Sequence, residues 1–88
     1  MNSFEEQSRI LKALAHPHRL EIVMRLKEDG CSVSEIQDNL GLPQSTISHH
    51  LLILKNAGVL SSRREGTVVC YSIEIEAVNE ILGILAEI

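Results

Sequence analysis

Apolar residues recur every three or four positions along the first forty residues of the chain, which is the spacing of one face of an α-helix. This pattern predicts a helix over residues 4–15 and a second over residues 18–28. Pro17 separates them because its ring disfavours helical backbone at the preceding residue. A third helix begins in the stretch CSVSEIQDNL, where Ser32 and Glu35 fit the S-x-x-E capping box.

A fourth helix is predicted over residues 44–56. Gly41 breaks the helix before it, and Pro43 is expected in its first turn, where a missing amide costs nothing. Two helices joined by a tight turn that contains glycine are typical of a helix-turn-helix motif.

The last part of the chain predicts a hairpin and a helix. β-rich runs near residues 59–64 and 68–73 flank a Glu-Gly pair and indicate two strands. An apolar stripe then predicts a helix over residues 75–87. The order is ααααββα, a mainly α fold with a small β-hairpin, which is the arrangement of a winged helix-turn-helix. We expect one domain over residues 1–88, because no repeat, linker or low-complexity tract divides them.

Composition indicates a small core that needs support. The 88 residues are 44% apolar and only 2% aromatic, so aliphatic side chains must pack the interior. Chains this short are marginally stable without disulfides, a metal or a second subunit. The two cysteines make no disulfide framework, so we expect a homodimer. Neither an export signal nor an apolar run of about 20 residues is present, and we expect no membrane contact and a cytoplasmic protein with reduced thiols.

Charge is unevenly distributed along the chain. The net charge of −4 argues against a general nucleic-acid binder. Residues 41–73, however, carry Lys55, Arg63 and Arg64 against a single glutamate, whereas residues 74–88 carry four glutamates and no basic residue. The middle of the chain is therefore locally basic, and the acidic last helix is a candidate surface for a protein partner.

The four histidines raise the question of a metal site or of acid–base catalysis. Neighbouring side chains on a helix do not face each other, so His49 and His50 are a poor chelating pair, and no histidines recur at i and i+4. His16 and His18 flank a proline with no carboxylate at ligand spacing. No nucleophile has a base and an orienting group, and no glycine-rich phosphate loop occurs. We therefore predict no metal, no cofactor and no enzymatic activity.

Base recognition explains the polar side of the fourth helix better. If its apolar stripe faces the core, four residues with hydrogen-bonding side chains share the opposite face: Gln44, Ser45, Ser48 and His49. Glutamine can pair with adenine, and serine can donate or accept at base edges. A recognition helix presents its N-terminal residues to the major groove, so this face is the predicted DNA-reading surface.

Other positions are candidates for contacts to the DNA backbone. Thr46 lies between the two faces of the fourth helix, and Lys55, near its end, could contact a phosphate or compensate the helix dipole. Arg63 and Arg64 precede the hairpin tip, and at most one of them is expected to reach DNA because side chains alternate along a strand. His50 lies nearer the apolar stripe, which favours half-buried packing.

Three ordered segments resemble the ArsR/SmtB family of winged-helix repressors. LKALAHPHRLEIV resembles its second-helix signature, LGLPQSTISHHLLILKNAGVL its recognition segment, and RREGTVVCYSI its wing. The resemblance covers essentially the whole chain. It implies homodimers, joined through the first and last helices, that bind palindromic operators in double-stranded DNA, usually as repressors. By position, Gln44, Ser45, Ser48 and His49 match the DNA-contacting residues of the family.

The sequence departs from the family pattern at the positions where other members bind a metal or sense oxidation. The Cys-x-Cys metal ligands of many members fall on Ser32 and Ser34, and the last helix, which holds metals in others, has no histidine. Cysteine-sensing members use positions that match neither Cys31 nor Cys70. The segment before the third helix often pairs with a wing strand, however, which would bring these two cysteines together as a redox-sensitive pair. One alternative is thus a thiol-redox-responsive repressor, and another is a winged-helix protein-interaction module without DNA binding.

Overall fold

The computed structural model describes residues 3–30 and 33–88, and the side chains of residues 29 and 33–35 lie outside that description. Within it, the helices and one antiparallel hairpin follow in the order α1 (Phe4–Leu14), α2 (Pro17–Asp29), α3 (Val33–Leu40), α4 (Gln44–Asn56), β1 (Leu60–Glu65), β2 (Val68–Ile73) and α5 (Glu76–Leu85). The predicted mainly α winged helix-turn-helix is confirmed.

A tight corner joins α1 to α2. Pro17 is the first residue of α2, one position before the predicted start, and His16 caps the helix by accepting a hydrogen bond at Nδ1 from the His18 amide at 3.1 Å. Arg19 Nε donates to the carbonyl of Ala13 at 2.7 Å, so its guanidinium satisfies a carbonyl left unpaired at the end of α1. The corner therefore places both histidines at the beginning of α2 and holds the ring of His16 by a hydrogen bond.

The helix-turn-helix consists of α3, a short turn and α4. Gly41 adopts a φ of 65°, a left-handed conformation that other residues rarely adopt, so a glycine suits this position. The prediction that Pro43 lies in the first turn of α4 is wrong. Pro43 is the N-cap, with an extended ψ of 148°, and its carbonyl accepts the amide of Ile47 at 3.1 Å. The bounds of α4 are those predicted.

The wing is the hairpin of β1 and β2. Cross-strand pairs run from Leu60 with Ile73 to Glu65 with Val68, and Gly66 turns the chain with a φ of 63°. The strand β1 begins one residue later than predicted, because Val59 lies outside the ladder, where its carbonyl accepts the amide of Glu74 at 2.9 Å.

One aliphatic core joins the helices to the base of the wing. The most deeply buried side chains come from α2, α4, α5 and the segment before β1: Ile22, Val23, Ile47, Leu54, Val59, Val78 and Leu82. The predicted inward stripes of α2 and α4 therefore form the core. The stripe of α1 is only partly buried, because Phe4 is 88% exposed and Leu11 is 55% exposed.

Some sequence predictions lie outside the described residues. They are the Ser32–Glu35 capping box and the placement of Cys31 and Ser34. Among the helices of the described part, none has the length and apolar character to cross a membrane.

Candidate nucleic-acid interface

The fourth helix is anchored through one face and open on the other. Ile47, Leu51 and Leu54 are buried at 4% exposure or less, as their spacing predicts. The helix packs against α1, α2 and β1, and burial of these three side chains fixes the rotation of α4 about its axis. The side chains on the opposite face of α4 are therefore exposed to solvent in a defined orientation.

The predicted DNA-reading side chains lie on that open face. All four of the predicted residues are exposed: Gln44, Ser45, Ser48 and His49. Thr46 is half-buried, in keeping with its position between the faces. Glutamine, hydroxyl and imidazole groups offer both donors and acceptors to a partner, so the first two turns of α4 form a polar surface free of the protein's own core.

The two adjacent histidines of α4 differ in burial. His49 is exposed, whereas His50 is 7% exposed, which is deeper than the half-buried packing predicted. The ring centroids of His49 and His50 are 6.3 Å apart. The Nδ1 atom of His50 is buried and has no hydrogen-bond partner among the described residues. His50 therefore belongs to the interior and not to the DNA-reading surface.

The interior partner of His50 is the corner between α1 and α2. The ring centroid of His50 lies 4.8 Å from that of His16 and 5.8 Å from that of His18. Burial, followed by the positive charges of His16 and Arg19, lowers the pKa of His50 below its ordinary value of 6.5. Burial and Arg19 likewise lower the pKa of His16. Histidine spacing within one helix gives no sign of this cluster, because its members come from the beginning of α2 and from α4.

The basic side chains in and beside the wing differ in the contacts that they make. Arg63 Nη2 lies 2.6 Å from Glu65 Oε1 and 3.7 Å from Cys70 Sγ, on the face that Arg63 shares with its cross-strand partner Cys70. Lys55 Nζ donates to Ser62 Oγ at 2.7 Å, which ties the end of α4 to β1.

Arg64 lies on the other face of β1. It is exposed, and no side chain in the described ranges forms an ion pair or a hydrogen bond with it. Alternation along the strand thus separates Arg63 from Arg64, as the sequence predicted.

Cys70 on β2 faces inward and is 6% exposed. It is disulfide-bonded, so the expectation of reduced thiols is wrong for this residue. Cys31, the other member of the predicted pair, lies outside the described residues.

Comparison with known proteins agrees with this geometry. The model of the arsR family of bacterial regulatory proteins matches residues 16–62, from the α1–α2 corner through the helix-turn-helix into the wing. A HTH-type transcriptional regulator of Methanocaldococcus jannaschii is 44% identical over 89 residues, which cover 100% of both chains. The chain belongs to the ArsR family.

Solved structures of transcriptional regulators share the fold. The transcriptional repressor PagR of Bacillus anthracis superposes with a TM-score of 0.84 at 39% identity, over 92% of this chain and 93% of PagR. A homodimeric winged helix-turn-helix DNA-binding domain from Mycobacterium bovis, described as a possible ArsR-family regulator, gives a TM-score of 0.80 at 32% identity, over 93% of this chain and 76% of that one. The ArsR-family chain is thus a DNA-binding transcriptional regulator and not an enzyme, as the sequence predicted.

Proposed function

We propose that the protein is a homodimeric repressor that recognises a palindromic operator by placing the N-terminal turns of α4 in successive major grooves. The observation that supports this is the division of α4 into a buried anchor and an exposed polar face, with Ser48 and His49 outward while Ile47 and Leu51 are core. A helix held this way can approach base edges without rearranging the domain. The regulator would act on cytoplasmic DNA.

Selection of bound duplexes from a pool of random sequence tests this proposal and identifies the operator in the same experiment. We expect recovered sequences to contain inverted half-sites about 10 base pairs apart, one turn of DNA, because each subunit carries one α4. Ser48→Ala and His49→Ala should each weaken binding to the selected duplex by about tenfold or more, the effect of losing a base contact of about 1–3 kcal/mol.

Thermal unfolding is the control for these variants, since both residues are exposed and neither substitution should lower the unfolding midpoint appreciably. If no sequence is enriched, or if both variants bind like wild type, the proposal is wrong. An unenriched pool would favour the protein-interaction alternative, with the exposed Glu76 and Glu80 of α5 offered to a basic partner.

The homodimer is proposed to form through α1 and α5. Phe4 and Leu11 of α1 and Ile84 of α5 leave apolar side chains in solvent, with Ile84 67% exposed. An apolar groove between the two helices is lined by Leu11, Ile75 and Ile81. A second copy is the occupant that fits, because the related domain from Mycobacterium bovis is homodimeric and a palindromic operator requires two reading helices.

Sedimentation analysis of Leu11→Glu tests the dimer. A charge placed in a buried apolar interface should convert the dimer to a monomer and abolish high-affinity operator binding. Leu52→Glu is the matched control, because Leu52 is 54% exposed, close to the 55% of Leu11, but lies on α4. A dimeric Leu11→Glu variant would refute this interface.

Control by thiol oxidation is a second candidate, favoured by the inward, disulfide-bonded Cys70 beneath Arg63. In the predicted reaction, one hydrogen peroxide oxidises the thiols of Cys31 and Cys70 to a disulfide, and the two protons and two electrons leave in two waters. The bond would tie β2 to the segment before α3 and so change the wing relative to the recognition helix.

Operator affinity measured in dithiothreitol and after peroxide tests this second function. We expect the affinity of wild type to differ between the two conditions by about fivefold or more, the lower range of measured coupling between sites, and Cys70→Ser to bind equally in both. Peptide mapping that finds no link between the two cysteines, together with unchanged affinity, would exclude redox control and leave DNA recognition by α4 untouched.

A further inference from the structure

We propose that His16, His18 and His50 form a binding site for a divalent transition metal of the zinc class, between the first turn of α2 and the buried side of α4. One ligand nitrogen from each imidazole lies within 4.8 Å of those of the other two. The site uses neither α3 nor α5, so it differs from both family metal sites considered above. It does not depend on the proposed mode of DNA recognition.

The distances require only small movements. At Zn–N bonds of about 2.0–2.1 Å, ligand nitrogens in a tetrahedral site are about 3.3–3.4 Å apart. An ion at the centre of three nitrogens separated by 4.8 Å would lie about 2.8 Å from each. Each nitrogen must therefore move inward by about 0.7 Å, which rotations of the side-chain torsions can supply.

The state of His50 is the second, independent observation. This imidazole is 7% exposed, yet its Nδ1 has no hydrogen-bond partner among the described residues. A buried polar atom normally has a partner, and an unpaired one calls for an explanation such as an ion. The imidazoles of His16 and His18 beside it complete a set of three nitrogen ligands.

Binding the ion changes the hydrogen bond of His16. Its Nδ1 accepts from the His18 amide, so the neutral ring carries its proton on Nε2. Coordination through Nε2 requires that proton to move to Nδ1 and the hydrogen bond to the His18 amide to break. Neutral imidazole suits Zn²⁺, Cu²⁺ and Ni²⁺ better than Mg²⁺ or Ca²⁺.

The positive charge of Arg19 limits the affinity of the three histidines for a metal ion. Its positive charge acts on both His16 and His50 and would repel a cation. Its Nε is held 2.7 Å from the carbonyl of Ala13, however, so the guanidinium is directed at the end of α1. With three imidazoles, the fourth coordination position of the ion is open to water.

Zinc titration of the purified chain tests the site, with calorimetry for stoichiometry and Co²⁺ absorption for ligand type. We expect one ion per protomer, a spectrum without thiolate charge transfer, and a higher midpoint of thermal unfolding with zinc present. His18→Ala should weaken zinc binding at least tenfold. His18 is the variant of choice because it is half-exposed and its ring makes no hydrogen bond within the described part of the chain.

His49→Ala is the matched control, since His49 neighbours His50 in sequence but is exposed and outside the cluster. It should bind zinc like wild type. Histidine ¹⁵N spectra give a second measurement that needs no variant: zinc should shift the ring signals of three histidines and leave His49 unchanged. The proposal is overturned if wild type binds no zinc, if His49→Ala weakens binding as much as His18→Ala, or if Co²⁺ shows thiolate ligands.

Discussion

Replacing Arg64 with alanine should change the salt dependence of operator binding in a way that replacing Arg63 does not. Arg64 is exposed and lies on the face of β1 opposite Arg63, without an ion-pair partner among the described side chains. Arg63 shares its face with Cys70 and is already paired with Glu65 at 2.6 Å. Such an exposed pair is worth about 0.2–1 kcal/mol, which Arg63 would have to give up before binding a phosphate.

The magnitude follows from counterion release. Each phosphate neutralised contributes about 0.9 to the slope of log affinity against log salt. A homodimer with one Arg64 contact per subunit therefore loses about 1.8 of that slope in Arg64→Ala. Over a tenfold rise in salt, wild type should lose about 60-fold more affinity than the variant does.

Fluorescence anisotropy with a labelled operator duplex, over a series of salt concentrations, measures both slopes. Arg63→Ala is the control, and its slope should stay within half a phosphate equivalent per subunit of the wild-type value, about 0.9 for the dimer. The assignment of Arg64 to a phosphate contact would be refuted if Arg64→Ala left the slope unchanged. It would also be refuted if Arg63→Ala reduced the slope as much as Arg64→Ala.

Further predictions concern stability. Leu54→Ala should lower the free energy of unfolding in urea by about 2–5 kcal/mol because the side chain is fully buried, whereas Leu52→Ala, at 54% exposure on the same helix, should change it by about 0.5 kcal/mol or less. Gly41→Ala should cost about 1–2 kcal/mol through its φ of 65° alone, since its new methyl group would meet no atom within 4 Å; an unchanged urea midpoint would contradict this. The free energy of unfolding should fall as the pH drops below 6.5, because the unfolded chain then binds a proton that folded His50 resists. His50→Gln should remove up to about 1.4 kcal/mol per pH unit of this slope and His49→Gln should not, as chemical denaturation at several pH values would reveal.

The helices and strands were predictable because apolar spacing and side-chain alternation depend on neighbouring residues alone. Apolar spacing alone set the face of α4, since burying Ile47, Leu51 and Leu54 requires the polar residues to face outward. Alternation along β1 separated the two arginines. The misplaced Pro43 shows the limit of such reasoning, because a proline suits both the first helical position and the extended residue before it, and only the backbone decides.

Contacts between distant segments were not predictable in the same way. His16 and His50 meet only because α2 packs against α4, and no local pattern encodes that distance. The pairing of Arg63 with Glu65 could have been found, since residues two apart on a strand share a face. The exposure of Phe4 and Leu11 had no local signal, because apolar spacing predicts a stripe on α1 but does not say how much of it the domain covers.

The most direct test of recognition by α4 is the change in backbone amide NMR signals when a selected operator duplex is added to the ¹⁵N-labelled protein. If α4 reads the operator, the largest shifts fall at residues 44–49, with a second group around Arg64 and small shifts on α5. Shifts concentrated on α5, with residues 44–49 unaffected at saturating duplex, would contradict it.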